Sequence, residues 1–186
     1  MISIKNVLKC VAGLISLNDI LPYFNGEDIG VDDMKEIDNL VVATNMAIGN
    51  IAANYFPVYD KVKTMVSNDN IKFSKITNKP IIQIKRVTRS GEKIDFRVYN
   101  DSLEVSSGEC EILYSYFPDM VTINDSVDYF GKLSELLFAY AVTAEYLFLK
   151  GQIDDAYMWD KRFKSSIVSI QRPTKNIVMP KRRWWQ

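Results

Sequence analysis

Between Leu136 and Leu149 the sequence reads LLFAYAVTAEYLFL, and only Thr143 and Glu145 in it are clearly polar. A helix that is apolar all round has no face to show to water and must be covered on every side. Fourteen residues are too few to cross a bilayer, and Glu135 and Glu145 stand at and within the run, so the cover has to be protein. Two sources are open. The segment is the central helix of a mixed core, or part of its second side (Leu136, Ala139, Val142, Tyr146, Leu149) is buried by a neighbouring copy. Tyr146 and Leu149 are the partner-facing candidates on this element.

The run belongs to a longer helical hairpin. Apolar residues at Phe130, Leu133, Leu137, Tyr140, Ala144 and Phe148 recur in threes and fours, which predicts a first arm from Val127 capped by Asp125 or Ser126. Gly151 falls where a left-handed residue ends such a helix. The second arm repeats the spacing at Ile153, Ala156, Tyr157, Phe163, Ile167 and Ile170. Asp154 and Asp155 suit the positive end of its dipole.

Upstream, residues 1–17 predict a short amphipathic helix with Ile4, Val7, Leu8, Val11, Leu14 and Ile15 inward. Lys5 and Lys9 interrupt the apolar stretch, which argues against a signal peptide. A loop over 18–32 leads to a long helix capped by Asp32 or Asp33 and running to Tyr55, with Glu36 at the capping-box position if Asp33 is the cap. Its stripe is Met34, Ile37, Val41, Thr44, Ile48, Ile51 and Tyr55, and Pro57 closes it. From Val62 to Tyr116 the period drops to two, as in Cys110, Ile112, Tyr114 and Tyr116, with turn signals between the runs. That pattern predicts an antiparallel meander of five or six short strands. The chain is therefore expected to be α+β. Residues 1–57 and 119–170 form a helical body, 58–118 an inserted β-region, and 171–186 an extended C-terminal arm.

The chain has no histidine, which removes the commonest general base and metal ligand and every Ser-His or Cys-His pair. No glycine-rich phosphate loop or nucleophile elbow is present. Neither catalytic residues nor a metal or cofactor is expected. Cys10 and Cys110 lie far apart without metal-ligand spacing and read as buried thiols. A formal net charge of zero hides an asymmetry, because all 23 acids precede residue 161 while eight of the 23 bases follow Asp160. The final residues, QRPTKNIVMPKRRWWQ, carry two prolines and no acid. Lys181, Arg182 and Arg183 beside Trp184 and Trp185 read as an anchor for a partner, since tryptophan and arginine dominate interface hot spots.

The order long helix, β-region, closing hairpin resembles head–tail connector (adaptor, or neck ring) proteins of tailed bacteriophages. The residues that carry the likeness are GNIAANYFP at 49–57, AYAVTAEY at 139–146, and Gly151 followed by Ala156, Trp159, Arg162 and Phe163. The likeness covers residues 33–168 and includes no catalytic signature. It implies a virion protein, made in the host cytoplasm, whose copies form a ring (commonly twelve) beneath the portal protein. Such a ring docks other neck or tail proteins and passes DNA without sequence-specific binding or a membrane. The β-region here is larger than in the smallest, all-helical connectors, so which neck ring it would form stays open.

Two other classes remain: a monomeric module binding a ligand through Tyr99, Tyr114 and Tyr116 on one sheet face, and a nucleic-acid binder using the basic tail. If the tail is an assembly anchor, replacing Trp184 and Trp185 with alanine should weaken assembly more than neutralising Lys181, Arg182 and Arg183. Sedimentation of the variants at moderate salt measures this.

Overall fold

The computed structural model describes residues 1–171, and it surrounds the apolar run with helices of the same chain. A two-residue strand β1 (Ile2–Ser3) enters α1 (Ile4–Leu14), and a 3-10 turn (Asn18–Ile20) and α2 (Leu21–Phe24) lead to α3 (Val31–Asn54). The β-region follows as β2 (Val58–Val66), β3 (Asn70–Lys72), α4 (Phe73–Ile76), β4 (Ile81–Arg89), β5 (Glu92–Lys93), β6 (Arg97–Val98), β7 (Ser102–Glu104) and β8 (Gly108–Tyr116). Then come β9 (Ser126–Val127), α5 (Glu135–Leu149) and α6 (Ile153–Gln171). The chain is α+β, as its pattern predicts.

Helix α5 packs against α1, α3 and α6 together. Phe138, Ala139, Val142 and Thr143 are fully buried, and Leu137, Ala141, Ala144, Tyr146 and Leu147 nearly so. Of its second side, Ala139, Val142 and Tyr146 are thus covered within the chain by helices, while Leu136 and Leu149 near its two ends stay exposed. Each large apolar side chain buried this way contributes about 1.5–3 kcal/mol. Alanines line the buried faces of α3 (Ala43, Ala47, Ala52) and α5 (Ala139, Ala141, Ala144), which lets helices approach closely. The buried hydroxyls of Thr44 and Thr143 donate to the carbonyls of Leu40 and Ala139, each at 2.8 Å, so neither is left unpaired. Tyr140 stacks at a tilt on Trp159 of α6, and Phe163 meets Tyr55 edge-on.

The predicted first arm is corrected at its start. The helix begins at Glu135, with Ser134 as N-cap accepting from the Leu137 N–H at 3.2 Å. Residues 126–127 are not helical but pair with Ile2–Ser3 as an antiparallel ribbon. Phe130 and Leu133 are buried as expected, from irregular chain rather than from a helix. Gly151, at φ +73°, ends the arm as predicted. Helix α3 is likewise capped by Gly30 rather than Asp32 or Asp33, which lie in its first turn and favour the dipole. Helix α1 buries Ile4, Val7, Leu8 and Val11 completely. Its start is held by Glu135, whose Oε1 accepts from the Ser3 N–H (3.2 Å) and the Asn6 amide (3.4 Å).

The strands are antiparallel but not a meander. One sheet runs in the order β2-β8-β4-β5 and a second in the order β3-β7-β6. The last long strand, β8, lies between the first two long strands, β2 and β4, and is the most buried of the three. Cys110, Ile112, Tyr114 and even Ser115 are buried, which demands neighbours on both edges. Strand β2 carries Asp60, Lys61 and Lys63 and takes the sheet edge, where charge discourages pairing with other chains. Asn68 and Asp69 (φ near +56°) and Ser90-Gly91 (φ +50° and +89°) make the two hairpin turns that open to β3 and β5. These strands close their own apolar cluster of Ile84, Val87, Leu103, Val105 and Ile112, while the helices share a second one centred on α5.

Leu137→Asp should remove more than about 4 kcal/mol of stability, because it buries an unpaired charge among three helices. Ser134→Ala should cost about 1 kcal/mol through the lost cap. Urea denaturation of the two variants measures both.

Candidate functional site

Three features bear on function, and the first and third correct expectations. Tyr146 does not face a partner. It is 3% exposed, and its hydroxyl donates to Glu36 Oε2 of α3 at 2.5 Å. Lys150 Nζ reaches the other oxygen of the same carboxylate. Glu36 is therefore not a capping-box residue but a bridge from α3 to the end of α5. Burial alone would raise the Glu36 carboxyl pKa, yet the bonds from Lys150 and Tyr146 outweigh it and hold it below the ordinary value. Burial first, and then the Glu36 carboxylate, push the Tyr146 phenol well above its usual range. Leu149, one turn on, is 46% exposed and does belong to the free surface.

That free surface follows the hairpin. Leu136 and Leu149 on α5, and Ile153, Tyr157, Met158 and Val168 on α6, are exposed. Ile153, Tyr157 and Val168 fall on one stripe of α6 with Lys161 and Lys164 between them. The Tyr157 ring packs edge-on against Phe148 at 5.4 Å, which fixes it in place at the hairpin tip. Isolated exposed apolar residues are ordinary, but a stripe of this kind along α6 marks an interaction surface.

The second feature is a cleft of about 550 Å³ between the outer face of α3 and the segment leaving β8. Val42, Met46 and Gly49 form its helical wall, and Pro80, Phe117 and Met120 the other. Asn45 builds it. Its side-chain oxygen accepts from the Val121 N–H at 2.8 Å, and its amide donates to the Val121 and Val41 carbonyls, each at 3.0 Å. A two-way bond of this sort holds the exit segment against the helix much as a strand partner would. Phe117 lies over Gly49, where an added Cβ would meet the ring at 3.8 Å. Val42, Met46, Phe117 and Met120 are all exposed, and Asp119 stands on the rim. The cleft was not predicted. Its sequence signal is that Val42 and Met46 lie off the buried stripe of α3 yet are apolar.

The third feature, the proposed tyrosine face, does not form. Tyr114 is buried with its hydroxyl 3.4 Å from Asp60, Tyr116 lies under Lys79, and only Tyr99 is exposed, donating to Glu104. Among the described residues no three acidic or cysteine side chains gather as metal ligands would. Cys10 and Cys110 are free, and burial raises both thiol pKa values away from the reactive thiolate. No helix among the described residues is long and apolar enough to cross a membrane. Lys181, Arg182, Arg183, Trp184 and Trp185 lie outside the described residues. No family model and no curated protein sequence matches the chain.

The Glu36 bridge predicts a pH signature. A depressed carboxyl pKa adds stability above the unfolded-state value and loses it as pH falls through the folded one. A raised phenol pKa adds stability below the unfolded-state value and loses it as pH rises. The bridge should therefore be whole between about pH 5 and pH 10 and weaken outside that window. Glu36→Gln should flatten the acid side of the profile, and Tyr146→Phe should cost about 1–2 kcal/mol at neutral pH. Urea midpoints measured across pH test both.

Proposed function

We propose that the chain is a non-enzymatic virion component of a tailed bacteriophage. On this reading its copies assemble into a ring that connects the capsid portal to the tail and surrounds the DNA channel. The observation that carries the reading is the exposed apolar row of α6 at Ile153, Tyr157 and Val168, with Leu149 beside it at the hairpin tip. Because α1, α3 and α6 already cover α5, the core of the subunit has no use for that row. A subunit that buries it against a neighbour would remove it from water, with an interface rich in aromatic and Met side chains. The acidic body also suits a channel in which DNA slides without sticking, since like charge repels the phosphates. The β-face binding reading loses its support with the burial of Tyr114.

Sedimentation velocity and native mass spectrometry of the full chain test the proposal, alone and mixed with the portal protein of the same phage. A closed multiple of the subunit mass, alone or on the portal, is expected. A monomer under both conditions overturns the reading. Tyr157→Asp should abolish the multimer while changing subunit stability by no more than about 0.5 kcal/mol, because Tyr157 is 61% exposed.

A further inference from the structure

The described chain ends beside α3. Gln171, the last residue of α6, donates its side-chain amide to the Tyr55 carbonyl at 3.0 Å. Fifteen residues follow, and the last six are Lys181-Arg182-Arg183-Trp184-Trp185-Gln186. The same helix α3 carries the open apolar cleft about two to four turns earlier, at Val42, Met46 and Gly49. We infer that the Trp184–Trp185 pair of one copy seats in the α3 cleft of the next copy, with the preceding basic triplet directed at Asp119 and the acidic body around it. This rests on the ring reading above and names the contact that would link the copies.

Size, charge and reach agree. A cleft of about 550 Å³ falls in the range of pockets that take large rings. Met46 and Met120 are adaptable side chains that make favourable sulfur–aromatic contacts. Five bases and no acids lie in residues 172–186, against a body in which acids outnumber bases. The twelve residues between Gln171 and Trp184 span up to about 40 Å when extended.

Direction selects the neighbour rather than the same chain. At 3.6 residues per turn, Tyr55 lies roughly 150° around α3 from the mean direction of Val42, Met46 and Gly49. Tyr55 faces α6, where it meets Phe163 with ring centroids 5.5 Å apart. Gln171 thus lies on one side of α3 and the cleft opens on the other. Donor and acceptor on opposite sides of one subunit make a head-to-tail contact, which repeats from copy to copy and closes into a ring when the rotation permits.

The experiment uses full-length chains. A synthetic peptide of residues 172–186 is titrated into the Trp184→Ala/Trp185→Ala chain, followed by fluorescence of the peptide tryptophans. It should bind, and adding Met46→Glu should weaken binding at least tenfold. Met46 is 43% exposed, so the fold should persist, and Met120→Asp, in the exit segment, is the second probe if it does not. In sedimentation, Met46→Glu alone and the double tryptophan variant alone should each stay monomeric. Mixed together they should form 1:1 pairs, since one keeps the arm and the other the cleft. Equal peptide binding with and without Met46→Glu, or undiminished assembly of Met46→Glu, overturns the inference and leaves the ring reading standing. Peptide bound at the cleft of a wild-type chain that stays monomeric alone and with the portal protein means that the arm folds onto its own subunit, which overturns both.

Discussion

A helix without a polar face dictates the rest of this molecule. From Leu137 to Leu147 nearly every side chain of α5 is out of water, and three other helices are needed to keep it so. That requirement explains why α1 crosses back to the start of α5 and why α3 and α5 face each other with alanines. It also explains why the strands, finding α5 already surrounded, close a core of their own around Ile112 and Leu103. Thr44 and Thr143 are satisfied by carbonyls of their own helices, while the Glu36–Tyr146 pair and Asn50, whose amide reaches Glu145 at 3.2 Å, link α3 to α5. The two cross-helix bonds fix α3 and α5 in register as well as in contact.

Much of this was legible in the sequence because hydrophobic period reports burial directly. The faces of α1 and α3, the hairpin joint at Gly151, the alternation in β8 and the α+β order all follow from it. The misreadings share one cause: period shows that a residue is buried, not by what or in which conformation. Phe130 and Leu133 continue the spacing of α5 and are buried, but from irregular chain, and the Ser134–Glu135 pair was the better start signal. Glu36 three residues after Asp33 looks like a local cap, whereas its partner is a phenol 110 residues away. The place of β8 between β2 and β4 is a tertiary choice, set by which strand has the most surface to hide.

The surface was less legible than the core for the same reason. Tyr146 was singled out as outward-facing because it lies off one stripe, yet a helix covered by three neighbours has no outside at that position. The α3 cleft requires Asn45 to hold Val121, and that bond joins residues 76 positions apart, with nothing local to announce it. Once the exit segment is fastened there, Val42 and Met46 become a wall instead of stray apolar residues.

The ribbon between Ile2–Ser3 and Ser126–Val127 also sets a schedule for synthesis. Ile2 and Ser3 have their partners more than 120 positions downstream, and the start of α1 waits further for Glu135. At about 5–20 residues per second, the ribosome needs roughly 6–27 s to deliver them. During that interval Ile4, Val7, Leu8 and Val11 have only the chain already made to hide against. The β-region, whose strand pairings all lie within residues 58–118, is complete on the nascent chain before the helical layer is. Folding therefore proceeds from the β-region outward, and α1, made before it, finds its place after it.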